Sequence, residues 1–190
     1  LARSRASYIS SSWGGAEFSG ESANDSYFVH SGVSFFVSSG DAGTPAEYPS
    51  ASPNVISVGW TTFNFNGSTF SSETGWSGSG GGCSLCEKAT STQSPISAGG
   101  RSTAAPSAGR RTSRSMPTRI RGLSVYDSTR YQGQKGWWQI GGTSASSPMI
   151  AARAADTGTV VNSAYVYGNS VTFRDVVSGN NGASFPATTW

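Results

Sequence analysis

Two short runs constrain the fold more than any other feature of this chain: Val33-Ser34-Phe35-Phe36-Val37 and Val55-Ile56-Ser57-Val58. Both are rich in β-branched or aromatic residues, and the first gives way to Gly40, so both are expected to be buried strands. Residues 18–31 carry Phe18, Tyr27, Phe28 and Val29 among polar residues, which predicts a short helix. Phe63 to Ser72 alternates aromatic and polar residues about Asn66-Gly67, a hairpin signal. Leu123–Tyr126 and Trp137–Ile140 are further strand candidates. Met149–Ala155 is Ala-rich and reads as a helix with Pro148 in its first turn. Strands alternating with helices predict an α/β fold with a mainly parallel sheet flanked by helices.

Such a fold needs a core, and 35% hydrophobic residues with 12% aromatics suffice for one. Charged residues are only 12%, against ~25% in ordinary soluble domains. This balance excludes a chain that is disordered throughout. No run approaches the ~20 unbroken apolar residues of a membrane span, and no signal-peptide pattern is visible. The net charge is +3 and the pI about 9.1. That excess is local. Residues 88–121 hold seven of the thirteen basic residues, and no Asp or Glu lies between Glu87 and Asp127. The rest of the chain has six basic against ten acidic residues. The basic segment contains no aromatics. Strand-binding basic patches interleave aromatics for base stacking, so a low-complexity insert is expected, with no nucleic-acid partner.

The chemistry concentrates in Gly141-Gly142-Thr143-Ser144-Ala145-Ser146-Ser147-Pro148, which follows a strand and opens a helix. A serine there stands at the carboxyl end of a strand, where open α/β sheets place their sites. The helix N-terminus favours developing anions. A bare serine at this place would be a helix N-cap. The whole string favours a nucleophile instead.

That string resembles the nucleophile motif of the subtilisin clan. Subtilisins add a His in a His-Gly-Thr context, an Asp, and an Asn in the oxyanion hole. The single histidine here, His30, is followed by Ser31-Gly32 and reads as a solvated residue at a helix end. Other blocks are similar to the sedolisin family of serine-carboxyl peptidases, in that family's order. They are Ser12-Trp13-Gly14-Gly15, Gly32-Val33 through Ser39-Gly40-Asp41-Ala42-Gly43, Glu47-Tyr48-Pro49 through Val58-Gly59, Glu73 through Trp76 with Gly80-Gly81-Gly82, and Val125-Tyr126-Asp127. The resemblance covers most of the chain except residues 84–122. It implies that residues 1–190 are part of one peptidase catalytic domain, subtilisin-like, monomeric, secreted and extracellular. The implied reaction is acid-acting endopeptidase chemistry on protein or peptide substrates. Subtilisin-type catalysis and a catalytically dead peptide binder are the alternatives.

The resemblance gives Ser144 the role of nucleophile and Asp41 that of oxyanion donor. Removing such a donor costs about 3–4 kcal/mol. A carboxyl donates only while protonated, which with a reference pKa of ~3.9 suits acid medium. Asp41 in Gly-Asp-Ala-Gly is also a good turn residue. In sedolisins the base Glu and its Asp partner precede the Ser-Trp-Gly turn. Glu17, Glu21 and Asp25 all follow it, so no base is assigned. Near the C-terminus, Asp175-Val176 with Ser178-Gly179 resembles the start of the family's calcium site, built from carboxylate and carbonyl oxygens. Asp175 otherwise reads as a solvated loop acid. Trp60 stands where the family has Gly, and its ring is expected to crowd the substrate wall. Cys83-Ser84-Leu85-Cys86 lacks the second ligand pair of a zinc site.

The family carries a Pro-Asp-Val-Ser…Ala-Asp-Pro strand and loop before Val125. Residues 111–122 differ from it. Read one base earlier, with suitable third-position bases, they encode Pro-Asp-Val-Pro-Val-Asp-Ala-Asp-Pro-Asn-Thr-Gly. We therefore expect the 88–121 segment to be translated out of frame. A coding sequence in which no single-base slip restores that motif refutes this.

Overall fold

The computed structural model describes residues 6–91, 101–104, 122–169, 176 and 178–181. The chain begins with β1 (Tyr8–Ser11) and β2 (Gly15–Ala16), then a 3-10 helix over Glu21–Phe28, β3 (Ser34–Ser38), β4 (Glu47–Tyr48) and β5 (Ile56–Val58). There follow β6 (Thr61–Asn66), β7 (Thr69–Gly75), β8 (Gly82–Lys88), β9 (Arg101–Ala104), β10 (Leu123–Tyr131) and β11 (Gln134–Ile140). Helices α1 (Thr143–Thr157) and α2 (Ser163–Gly168) complete it. The expected strands, the short helix at 18–31 and the hairpin about Asn66-Gly67 are all present.

The centre is a three-stranded parallel sheet in the order β1-β3-β5. Every residue of β3 is buried, its Phe35-Phe36-Val37 centre and the serines that flank it alike. One face packs Phe36, Ile56 and Val58 against Ala151 and Ala154 of α1 and Val166 of α2. The other face packs Phe35, Val37 and Val55 against Ile9, Val33 and Phe28, the last from the 3-10 helix. The fold is thus α/β, a small parallel sheet covered on both faces. The remaining pairings, β2-β4, β6-β7, β8-β9 and β10-β11, are two-stranded and antiparallel. The candidates at 123–126 and 137–140 therefore belong to one long hairpin outside the parallel sheet.

Helix α1 begins at Thr143, six residues before the expected start, so Pro148 lies inside it rather than in its first turn. Trp60 is buried, and its main-chain N–H donates to Ser79 Oγ (3.0 Å), so its ring is packed inside the fold. Neither Cys83 nor Cys86 forms a disulfide. Of residues 88–121 only 88–91 and 101–104 are described, so the expected basic insert lies largely outside the described residues. Among the described residues, no helix is long and apolar enough to cross a membrane.

Candidate active site

Three segments meet where β3 ends and α1 begins. The first residue of α1, Thr143, is buried. Its N–H donates to Asp41 Oδ1 (2.7 Å), and its hydroxyl Oγ1 lies 2.9 Å from the same oxygen. Thr143 Oγ1 also accepts the Gly40 N–H at 3.1 Å. The residue at the N-cap position, Gly142, has φ 107 and no side chain to cap the helix. Asp41 does that work from the end of another strand, satisfying an amide that helix geometry leaves unpaired. A Cβ on Gly142 would stand 2.6 Å from Asp41 Oδ2, so only glycine allows this approach. Oδ1 takes the Thr143 N–H, and the Thr143 hydroxyl lies within reach of both that oxygen and the Gly40 carbonyl (3.1 Å).

The motif's serines divide by burial. Ser146 Oγ donates to the carbonyls of Gly59 (2.7 Å) and Thr143 (3.0 Å), and Ser147 Oγ pairs with Ser10 Oγ at 2.9 Å. Both are buried, whereas Ser144 is exposed in the first turn of α1. Ser144 is also not the N-cap, so the capping alternative fails. Its carbonyl accepts a hydrogen bond from Ser12 Oγ (3.1 Å), which brings the Ser-Trp-Gly turn to the same place. Glu47 on β4 is half-buried. A Cβ on Gly40 would lie 2.5 Å from its Cδ, so its carboxyl rests on Gly40 beside Asp41. Burial, and then the Asp41 charge, push the Glu47 carboxyl above its ordinary range.

The structure does not bring the other acids to Ser144. Glu17 accepts hydrogen bonds from Ser84 Oγ and Leu85 N, and Tyr48 Oη donates to Asp25 (3.3 Å). Glu21 takes the Phe18 N–H (2.7 Å). With Glu87 these acids form a separate cluster. Burial, and next Asp25, raise the Glu87 carboxyl to about 7, and burial raises Glu21. His30 packs its ring 6.1 Å from Phe35, on the face of the sheet opposite α1. The subtilisin alternative therefore has no histidine beside its serine. Asp175 lies outside the described residues. Val176 is buried, and Ser178 Oγ donates to the Glu73 carbonyl (3.0 Å). Among the described residues, no group of three His, Cys, Asp or Glu side chains could hold a metal ion.

Sequence reasoning missed Ser12, Thr143 and Glu47 as parts of this site. Only Ser12 left a signal: Pro148 stands four residues after Ser144, so the Ser144 carbonyl needs a donor from elsewhere.

A parallel sheet, a serine at a helix N-terminus and a strand-end aspartate bonded to that terminus make the chain a distant relative of the serine-carboxyl peptidases. A match in curated sequence is Xanthomonalisin of Xanthomonas sp. (strain T-22), 29% identical over an alignment of 167 positions that covers 70% of this chain and 18% of the relative. Among solved structures, Pseudomonas sedolisin (serine-carboxyl proteinase) complexed with two molecules of pseudo-iodotyrostatin is similar at a TM-score of 0.68 and 28% identity. That match covers 97% of this chain and 60% of the sedolisin. No family model matches the chain.

Proposed function

We propose that this chain carries the nucleophile and oxyanion side of a serine-type, sedolisin-like endopeptidase acting on proteins or peptides at acidic pH. Ser144 Oγ attacks the scissile carbonyl. The protonated Oδ2 of Asp41 donates to the oxyanion that forms. The N-terminus of α1 adds its dipole to the same charge. The observation that carries this reading is the pair of Thr143 bonds to Asp41 Oδ1, which join segments 102 residues apart beside the one exposed serine of the motif.

Attack requires that Ser144 lose a proton. Among the described residues no carboxylate hydrogen-bonds to Ser144 Oγ. Losing a triad member removes several orders of magnitude of rate. These 190 residues alone are therefore a peptide-binding module with negligible turnover. The same reading makes the parent peptidase secreted and gives it a calcium ion. Oxygen donors suit that hard cation. The Asp175 carboxylate and the Val176 carbonyl would hold it.

The test is calorimetric titration with pseudo-iodotyrostatin at pH 4, alongside a peptidase assay at pH 3–5. We expect binding without cleavage. Asp41→Ala should weaken the binding, whereas Asp41→Asn, whose amide can also donate, should retain it. Failure to bind, or binding that Asp41→Ala leaves unchanged, sinks the proposal. Cleavage that Ser144→Ala abolishes would overturn the negligible turnover.

A further inference from the structure

We propose that Ser12 is a positioning residue for Ser144: its hydroxyl replaces the hydrogen bond that Pro148 denies to the Ser144 carbonyl, and so fixes the backbone that carries the nucleophile. This rests on Ser144 being that nucleophile.

In an α-helix the carbonyl of residue 144 would accept from the amide of residue 148. Pro148 lies inside α1 and has no N–H, so that bond is missing. A carbonyl released in this way is a usual place for a helix to bend or fray. Here Ser12 Oγ donates to it at 3.1 Å, from just past the end of β1. A second tie runs parallel to the first, one turn along α1. Ser10 Oγ pairs at 2.9 Å with the fully buried Ser147 Oγ. The two bonds stitch the end of β1 to the first turn of α1. The buried stitch holds the elements together. The outer one touches the backbone of the exposed serine. Omitting the Pro148 amide leaves the Ser144 carbonyl free to be held from outside the helix, and the Ser-Trp-Gly turn is what holds it. A shift of the Ser12-Trp13-Gly14 turn is thereby transmitted to Ser144.

The test is a double-mutant cycle on the 190-residue chain: Ser12→Ala, Ser12→Thr, Pro148→Ala and the double variant Ser12→Ala/Pro148→Ala. The readouts are the carbonyl carbon-13 resonance of Ser144 and the three-bond couplings that report its χ1. We expect a displaced resonance and averaged couplings in Ser12→Ala. Ser12→Thr keeps the hydroxyl and should match the wild type. In the double variant the restored amide should return both readouts to wild-type values. A merely structural Ser12 would lower the melting temperature and leave the couplings alone. Couplings unchanged in Ser12→Ala, or a double variant no closer to wild type than Ser12→Ala, would overturn the proposal. The cycle reads Ser144 directly and needs no turnover. If Ser144 is not the nucleophile, that failure shows in ligand binding and not here.

Discussion

At the scale of single residues, the site depends on the absence of atoms. Gly142 has φ 107, and a Cβ there would meet Asp41 Oδ2 at 2.6 Å and Oδ1 at 3.0 Å. Backbone strain of this kind costs about 1–3 kcal/mol before any clash. Gly142→Ala should therefore lose more stability than Gly67→Ala, where φ is 61 and nothing lies within 4 Å of the added atom. The control should cost about 1 kcal/mol. Urea titration of the two variants measures the difference, and equal losses would contradict the geometry. Ser144 and Asp41 stood out in the sequence because each sits in a block that resembles the family's. Thr143 did not. It looks like one more small polar residue in the string, and its importance lies in a partner 102 positions away.

At the scale of elements, the start of α1 shows the same limit. Local rules look for a side-chain cap and find Gly142, then Pro148, which argues for a start beyond the proline. The missing cap comes from β3 through Asp41, and the missing donor from β1 through Ser12. Tertiary partners thus extend the helix back to Thr143. The buried run of β3 was fully legible, because apolar continuity needs no partner to be recognised.

The acidic cluster belongs to the element scale too. It fastens the 3-10 helix, bearing Glu21 and Asp25, to β4 through the Asp25–Tyr48 bond and to β8 through Asp25 and Glu87, while Glu17 just ahead of the helix takes Ser84. Glu17 and Glu21 also face each other there. Among the described residues the ion pair is Arg153–Asp156 on α1, which involves none of these acids. Burial, and then the negative neighbours, lift Glu87 to about 7 and raise Glu21 from 4.5. A raised carboxyl leaves stability intact below its unfolded value. That stability is lost as pH climbs from 4.5 through about 7, because the unfolded chain releases its proton first. Thermal melts should therefore give a higher Tm at pH 4 than at pH 7, and Glu87→Gln should flatten the difference. A wild-type Tm that rises with pH over this range would contradict this account.

At the scale of the whole molecule, the chain spans less than two thirds of both relatives: 60% of the sedolisin and 18% of Xanthomonalisin. The basic pI is a property of residues 88–121, not of the rest of the chain. The out-of-frame reading of 111–122 would exchange four arginines for three aspartates and make the chain acidic. Ser178 and Gly179 dock on β7, where Gly75 N donates to the Ser178 carbonyl (2.8 Å). Calcium held at Asp175 and Val176 would stabilise the folded state by mass action. Tm should accordingly rise on adding calcium, and Asp175→Asn should remove the rise. A melt indifferent to calcium in the unsubstituted chain would dispose of the ion.

The span of the bonds that build the site also sets its timing. Asp41 meets Thr143 across 102 residues, Ser12 meets Ser144 across 132, and Ser10 meets Ser147 across 137. Contacts so distant along the chain form late, after most of the closure entropy has been met. A growing chain exposes β3 and its aspartate long before α1 exists. The constellation of Asp41, Thr143, Ser12 and Ser144 is therefore absent until α1 has been made, and comes into being only on closure.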